Sequence, residues 1–273
     1  MAKSLQALVG IENEPAQVVW HLRDFAQDIR APLVGGYQVT CSDEAEWECA
    51  RAFQQSFVEP LMPGLKPGSR APLRSVNLGG RIEPGAIRIA EEHFATAETQ
   101  GDFKLLVVKI NSHVGIRATA DGVEYGWTDR YGHRLACCGT LAALLEGEGP
   151  PAIAELRDAF RSRGTDRLAA LRDEGVVPPP YRALFAAVVN ARLQADRAAA
   201  EAERHRPRTP SIYLIVSCVT INRPGPDTEI VVGQYGIDWT GRSPTVKYQG
   251  LGDSPAAYRV QHRGSRLSLE DAG

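Results

Sequence analysis

Three separate segments of the sequence place a cysteine or a histidine where a predicted strand ends or a predicted helix begins. Cys41 follows the strand-like run LVGGYQVT, His113 follows the apolar run LLVVKI, and Cys138 precedes Gly139 at the start of a helix-like segment. Thiolate and imidazole are preferred ligands of zinc, and a site with two cysteines and one histidine leaves the fourth position open for water. These three side chains are therefore candidate ligands of one metal ion.

Each candidate also has an alternative interpretation. The alternative for His113 is a polar cap at the end of a buried strand, and the alternative for Cys41 is a small buried hydrophobic residue. His133 is a rival of His113 because it lies five residues before Cys138, and Cys137 is a rival of Cys138. The adjacent cysteine pair is also compatible with a redox or thiol site that holds no metal.

Alternating strand and helix patterns are expected to position these side chains. Strands are predicted at 33–40, 105–110, 211–221, 229–239 and 245–251, and helices at 14–29, 42–58, 84–96 and over much of 151–207. Residues 114–136 are predicted to be irregular, with a short helix after them. The alternation predicts an α/β fold with a mostly parallel central sheet and helices on both faces. Since ligands of such sheets gather at the carboxyl ends of strands, the first cysteine and the histidine are expected to lie there.

The composition argues against several classes of function. The chain has 273 residues, 43% of them hydrophobic, and a formal net charge of −2. It therefore lacks the basic character expected of a protein that binds nucleic acid or anionic lipid. No apolar run approaches the roughly 18 residues of a membrane span, and the first residues lack the pattern of a secretory signal. The five cysteines, an odd number with two adjacent, favour thiols or metal ligands in a reducing cytoplasm over disulfide bonds.

Four segments resemble, in the same order, motifs of the β-carbonic anhydrase superfamily. CSD at 41–43 resembles the opening of the family's CSDSR motif, whose cysteine binds zinc, and VNLGGRI at 76–82 resembles its RNAGGRV-type segment. GAIRIAEEHFA at 85–95, followed by KLLVVKINSHVG at 104–115, resembles the helix SIEYAVEHL and the strand VVLGHSDCG. VVGQYGIDWTG at 231–241 is similar to the VxGxxYDIxTG strand. The resemblance implies a β-carbonic anhydrase-like fold.

The spacing of the ligands resembles a divergent branch of that superfamily. The compact enzymes have an HxxC spacing, which this chain lacks, because its next cysteines after His113 are Cys137 and Cys138. The divergent branch separates the two ligands by a longer insertion and places glycine after the cysteine. It includes the limiting-CO2-inducible proteins of algae and the large subunits of bacterial bicarbonate-accumulation complexes. The resemblance therefore implies a Zn²⁺ ion bound by Cys41, His113 and Cys138.

The resemblance also implies a catalytic role for Asp43, which would orient the nucleophile or control the fourth zinc position. In the family, an arginine two positions after this aspartate holds it away from zinc, and here that position is Ala45. Asp43 would then be able to occupy the fourth position itself and exclude water. Arg51, Arg74 and Arg81 are candidates to replace the missing arginine.

The function that the resemblance implies is zinc-dependent, reversible hydration of carbon dioxide to bicarbonate. The alternative is a non-catalytic zinc-binding scaffold or regulatory protein with the same fold. A homodimer or higher homo-oligomer is expected because the related enzymes are oligomeric. The net charge of −2 predicts no nucleic-acid partner, and the cysteine usage predicts a cytoplasmic location. We predict one α/β zinc-binding domain over 1–273, with its sheet core in 1–150 and 208–264, a helical insertion at 151–207 and a tail at 265–273.

Overall fold

The computed structural model describes residues 34–43, 53, 73–94, 104–120, 122–130, 132–146, 182–222, 228–250, 258–263 and 266–271. The predicted helix at 14–29 lies outside these ranges, as does most of the predicted helix at 42–58. Residues 151–181 of the predicted insertion also lie outside them. The division of the chain into one domain with an insertion therefore stays a prediction.

Eleven strands and three α-helices make up the described regular structure. The strands are β1 (Val34–Cys41), β2 (Leu73–Asn77), β3 (Lys104–Thr119), β4 (Gly122–Tyr125), β5 (Trp127–Arg130), β6 (His133–Ala136), β7 (Ser211–Asn222), β8 (Thr228–Asp238), β9 (Thr245–Gly250), β10 (Tyr258–Arg263) and β11 (Arg266–Asp271). The helices are α1 (Ala86–Phe94), α2 (Gly139–Glu146) and α3 (Arg182–Arg204), and a short 3₁₀ helix spans Leu78–Gly80. Five of the strands correspond to the five that the apolar runs predict.

The central sheet has seven strands, of which six follow the order β2, β1, β3, β7, β8, β9 while β4 pairs with β3. Strands β2, β1, β3 and β7 run parallel to one another. Strands β8 and β9 add antiparallel pairs at one edge, and β4 is antiparallel to β3. The predicted α/β class with a mostly parallel central sheet is confirmed. The antiparallel edge matches the mixed sheets that are common among large α/β folds.

The three described helices pack on one face of this sheet. Helices α2 and the first half of α3 cover one core cluster around Val114 and Val219, and α1 and the second half of α3 cover another around Val108 and Ile215. On the opposite face, Phe53 lies with its ring 5.4 Å from Nζ of the buried Lys109 side chain. Other residues of this second face include several buried polar side chains, so it differs in chemistry from the helix-covered face.

The prediction that residues 114–136 are irregular is wrong. Strand β3 does not end near His113 but continues to Thr119, turns into β4, and is followed by the hairpin β5–β6. Residues in these strands carry exposed and half-buried side chains, which lack the continuous apolar pattern of the buried part of β3. The sequence signal for strands is therefore weak here.

Part of the segment predicted to be a tail is also regular structure. Strand β11 lies within 265–273 and pairs antiparallel with β10. No helix within the described ranges combines the length and the apolar character that a membrane crossing requires.

Candidate metal centre

Cys41 is the last residue of β1 and lies at its carboxyl end, as predicted. Its side chain is 4% exposed. The backbone amide of Gly79, at the start of the glycine pair after β2, donates a hydrogen bond to Cys41 Sγ at 3.3 Å. Both glycines have positive φ angles, 72° at Gly79 and 66° at Gly80, which brings the turn against the end of β1. A backbone donor of this kind stabilises a thiolate, as a metal ligand requires.

His113 lies within β3, in register with Thr220 of β7, and its side chain is fully buried. The position is near the carboxyl end of the segment that pairs with β1, since the last residue of that pairing is Ile110. Because the strand continues, the interpretation of His113 as a cap on a strand tip is wrong. Its imidazole Nδ1 is 2.8 Å from Oδ1 of Asn222, while Nε2 is buried without a hydrogen-bond partner among the described residues.

The two adjacent cysteines reach the site through a chain of backbone hydrogen bonds to β3. The amide of Gly115 donates to the carbonyl of Cys137 at 2.8 Å, and Cys137 in turn donates to the carbonyl of Gly126 at 2.9 Å. A Cβ atom at Gly115 would lie 2.6 Å from the carbonyl oxygen of Trp127 and 2.9 Å from Cβ of Cys137. Only glycine allows β3, β5 and the cysteine segment to approach this closely. The hairpin β5–β6 is therefore what returns Cys138 to the end of β1.

The three predicted ligands converge. One ligand atom from each of Cys41, His113 and Cys138 lies within 4.8 Å of the others, and all three side chains are buried. A second group within the same distance limit comprises Asp43, His113 and Cys137. His133, the rival histidine, is exposed on β6 and belongs to neither group. Cys137 lies on the Nδ1 side of the imidazole, with its sulfur 3.5 Å from that nitrogen.

The sulfurs of Cys41 and Cys138 are 3.6 Å apart. This separation is much longer than the roughly 2.05 Å of a disulfide bond. Two sulfurs on one tetrahedral zinc ion, each about 2.3 Å from the metal, would be about 3.8 Å apart. The buried Nε2 without a described partner supplies the nitrogen donor that such a site needs. The donor set therefore fits zinc in both chemistry and spacing.

The same contacts control the protonation of the group. The hydrogen bond with Cys138 lowers the pKa of Cys41 to about 4, against the opposing effect of burial. That hydrogen bond, together with burial, raises the pKa of Cys138 well above its usual value. Burial acts to lower the pKa of His113, but polar interactions with the three neighbouring cysteines outweigh it and raise the pKa well above its usual value. Metal binding would displace the protons that this arrangement holds.

Asp43 lies two residues after the end of β1, and its side chain is about one quarter exposed. Its Oδ2 is 3.8 Å from His113 Nε2, the nitrogen that faces the proposed metal position. The carboxylate is therefore close enough to contact a group bound there. This placement agrees with either role expected for Asp43, orientation of a nucleophile or occupation of a fourth ligand position.

A cavity of ≈ 560 Å³ borders the cysteine pair on the side of α2 and β4. Its lining is largely apolar and includes Tyr125, Trp127 and Leu141, with Arg182 at the start of α3. Neither Cys41 nor the predicted histidine ligand lines it. The cavity therefore borders the candidate metal centre at Cys137 and Cys138, on the side of α2 and β4.

Sequence reasoning missed the groups that support the ligands. Asn222, the amide of Gly79 and the close approach at Gly115 all act through contacts between residues far apart in the chain. The glycine pair at 79–80 lies in the VNLGGRI segment that carries part of the resemblance, but its contact with the Cys41 sulfur leaves no local signal in the sequence. The asparagine ends an otherwise apolar strand, which is the one feature that draws attention to it.

The α/β fold of this chain is similar to that of limiting CO2-inducible proteins of known structure. The crystal structure of PtLCIB4, a homolog of the limiting CO2-inducible protein LCIB, is similar with a TM-score of 0.59 at 17% identity, covering 92% of this chain and 99% of that chain. The crystal structure of limiting CO2-inducible protein LCIB is similar with a TM-score of 0.52 at 11% identity, covering 85% and 90%. No protein-family model and no curated protein matches the sequence. The predicted resemblance to this branch is confirmed at the level of the fold.

Proposed function

We propose that this protein binds one zinc ion through Cys41, His113 and Cys138 and hydrates carbon dioxide reversibly to bicarbonate. The observation that carries the proposal is the convergence of the three buried side chains within 4.8 Å at the carboxyl end of β1. The fold shared with limiting CO2-inducible proteins supports the choice of reaction. Two thiolates and one neutral imidazole would leave one position of a tetrahedral ion open.

When bound, zinc would supply Lewis-acid activation of a water molecule near neutral pH. The residues of the chain would hold and orient the reacting groups. The Gly79 amide would stabilise the Cys41 thiolate through the contact at 3.3 Å. Asp43, at 3.8 Å from His113 Nε2, would accept a hydrogen bond from the nucleophile and direct its lone pair toward carbon dioxide. Because Asp43 is partly exposed, it would also lie on the route by which a proton leaves to solvent.

The alternative proposal is a non-catalytic scaffold with a closed, four-ligand zinc site. It is favoured by one observation, the position of the Asp43 carboxylate beside the imidazole in a sequence that has Ala45 where the resembled enzymes have arginine. In this arrangement Asp43 would be the fourth ligand and water would be excluded. The two proposals share the three principal ligands and differ only in what occupies the fourth position.

Metal analysis combined with a stopped-flow hydration assay separates these proposals. We expect one zinc ion per chain in the wild-type protein and in Cys218→Ser, which removes a buried cysteine of β7 that belongs to neither ligand group. We expect the Cys41→Ser variant to lose the zinc ion. Zinc with measurable hydration supports the enzyme, and zinc without hydration supports the scaffold. A wild-type protein that binds no zinc but reacts rapidly with thiol reagents would overturn both in favour of a thiol site.

A second pair of variants tests the fourth position. Ala45→Arg introduces the guanidinium that the resembled enzymes carry, and Asp43→Asn weakens the carboxylate as a ligand. If Asp43 closes the site, Ala45→Arg will raise the hydration rate while zinc content stays the same. If the site is already open, Ala45→Arg will leave the rate unchanged and Asp43→Asn will lower it.

The proposed enzyme would act on small molecules, carbon dioxide and bicarbonate. We also propose a homodimer or higher homo-oligomer, carried over from the resemblance, and a cytoplasmic location, which the odd number of cysteines and their adjacent pair favour. Sedimentation of the purified protein tests the oligomeric state, and a monomer at micromolar concentration would contradict it.

A further inference from the structure

Asn222, the last residue of β7, contacts the imidazole of His113 at the candidate metal centre. Asn222 is in register with Gly115, two positions after His113 on the neighbouring strand, and its side chain is 1% exposed. Its Oδ1 lies 2.8 Å from His113 Nδ1 and 3.5 Å from Cys137 Sγ. An amide oxygen accepts hydrogen bonds and does not donate them, so it orients both neighbours as donors.

We infer that Asn222 is a positioning residue that fixes the tautomer and ring orientation of His113 for metal binding. Acceptance of the Nδ1–H hydrogen by Asn222 Oδ1 leaves the lone pair of the neutral imidazole on Nε2. That nitrogen is buried, lacks a hydrogen-bond partner in the described part of the chain, and is 3.8 Å from Asp43. A histidine that binds a metal through one nitrogen commonly donates its other N–H to an oxygen acceptor.

The reverse tautomer would be poorly accommodated. It would require Asn222 to present its amide nitrogen to Nδ1, which would remove the acceptor for the Cys137 thiol at 3.5 Å. It would also place a hydrogen on Nε2, the nitrogen 3.8 Å from Asp43, and so remove the lone pair that a metal ion bound there would need. Loss of the buried acceptor at Cys137 is costly, so the contact at Nδ1 selects the tautomer that a metal needs.

The inference about Asn222 rests on the proposed zinc site, and its test distinguishes failure of the inference from failure of the proposed function. Zinc affinity is measured by chelator competition for the wild type, Asn222→Leu and Asn222→Asp. Loss of an outer acceptor of this kind typically lowers metal affinity by about 10- to 100-fold, so we expect that loss for Asn222→Leu. Asn222→Asp retains an oxygen acceptor at the same place and is expected to keep an affinity close to that of the wild type.

The matched control is Asn111→Leu, which removes another fully buried asparagine of the sheet. The Asn111 amide donates to Thr220 at 2.6 Å, and Asn111 belongs to neither ligand group. We expect this variant to lose stability in denaturant unfolding without the 10- to 100-fold loss of zinc affinity. A general effect of burying leucine in place of asparagine would weaken zinc binding equally in both variants, and would contradict the inference.

A spectroscopic readout tests the tautomer itself. In the zinc-loaded wild type, ¹⁵N correlation spectra of the imidazole should show His113 with hydrogen on Nδ1 and metal on Nε2. The opposite pattern, or an unchanged zinc affinity in a folded Asn222→Leu, overturns the inference while leaving the zinc site intact. A wild-type protein without zinc overturns the proposed function instead.

Discussion

The glycine pair after β2 offers the sharpest test of how the site is held, through the substitution Gly80→Ala. A Cβ atom at Gly80 would lie 2.1 Å from the backbone carbonyl oxygen of Asn111. Ordinary contacts between carbon and oxygen are no shorter than about 3.3 Å, so the turn or β3 would have to move by about 1.2 Å. The Cβ position is fixed by the backbone and the oxygen is a backbone atom, so rotation of a flexible side chain cannot relieve the clash.

Two terms contribute to the expected loss. The positive φ of Gly80 costs about 1–2 kcal/mol for a residue with a side chain, and the forced displacement adds about 1–3 kcal/mol, as overpacked cores show. The free energy of unfolding should therefore fall by about 2–5 kcal/mol, which denaturant titration followed by circular dichroism will measure. Zinc affinity should fall with it, since the same turn provides the amide of Gly79 to Cys41 Sγ.

Gly85→Ala is the matched control for this prediction. Gly85 has a positive φ of 82°, but a Cβ atom there would meet nothing within 4 Å. It should therefore show the backbone cost of about 1–2 kcal/mol without the displacement. If Gly80→Ala and Gly85→Ala lose the same stability, the close approach of the turn to β3 is not what requires glycine at position 80, and the reasoning is refuted.

Three further substitutions test other parts of the structure. Gly115→Ala should displace the segment that carries Cys137 and lower zinc affinity at least tenfold by chelator competition; an affinity equal to the wild type would contradict the packing argument. Glu201→Ala removes the carboxylate that accepts three amide hydrogen bonds at the start of α1, at 3.0 to 3.3 Å, and should cost about 1–2 kcal/mol of unfolding free energy, with Glu201→Gln retaining part of it. Tyr213→Phe removes a buried hydroxyl without a described hydrogen-bond partner and should leave stability at pH 8 unchanged or higher. Burial, with a smaller contribution from Glu91, raises the pKa of Tyr213 above its usual value. Above about pH 10 the unfolded wild type can ionise this tyrosine while the folded protein cannot, so its unfolding free energy should fall with pH relative to that of Tyr213→Phe. If the unfolding free energies of the two proteins stay parallel from about pH 8 to 10.5, the reasoning is contradicted.

Local patterns were enough to predict the two strands that carry Cys41 and His113, the first two candidate ligands, and the helix α1 that lies between these strands in the chain. The apolar runs before Cys41 and within 105–110 mark β1 and the buried part of β3, because both faces of a parallel strand are covered. The amphipathic pattern of 84–96 marks α1 in the same way. Since parallel strands end at the same edge of a sheet, the meeting of Cys41 with His113 followed from the fold class.

The delivery of Cys138 was beyond local patterns. Residues 114–136 carry little apolar periodicity, because their strands are short and partly exposed, so the chain appeared irregular where it forms β4, β5 and β6. What places Cys138 beside Cys41 is the close approach at Gly115 and its hydrogen bond with Cys137. Hydrogen bonds between segments distant in the chain leave no periodic trace in either segment.

The candidate ligand types, the class of fold and the edge of the sheet where Cys41 and His113 meet were thus predictable from residue types and spacing. The choice of Cys138 as the partner of Cys41, the exclusion of His133 from the group and the contact of Asn222 with His113 were not. The physical reason is that strand periodicity reflects burial by immediate neighbours, whereas a buried polar contact depends on which distant atoms the folded chain brings within about 3 Å.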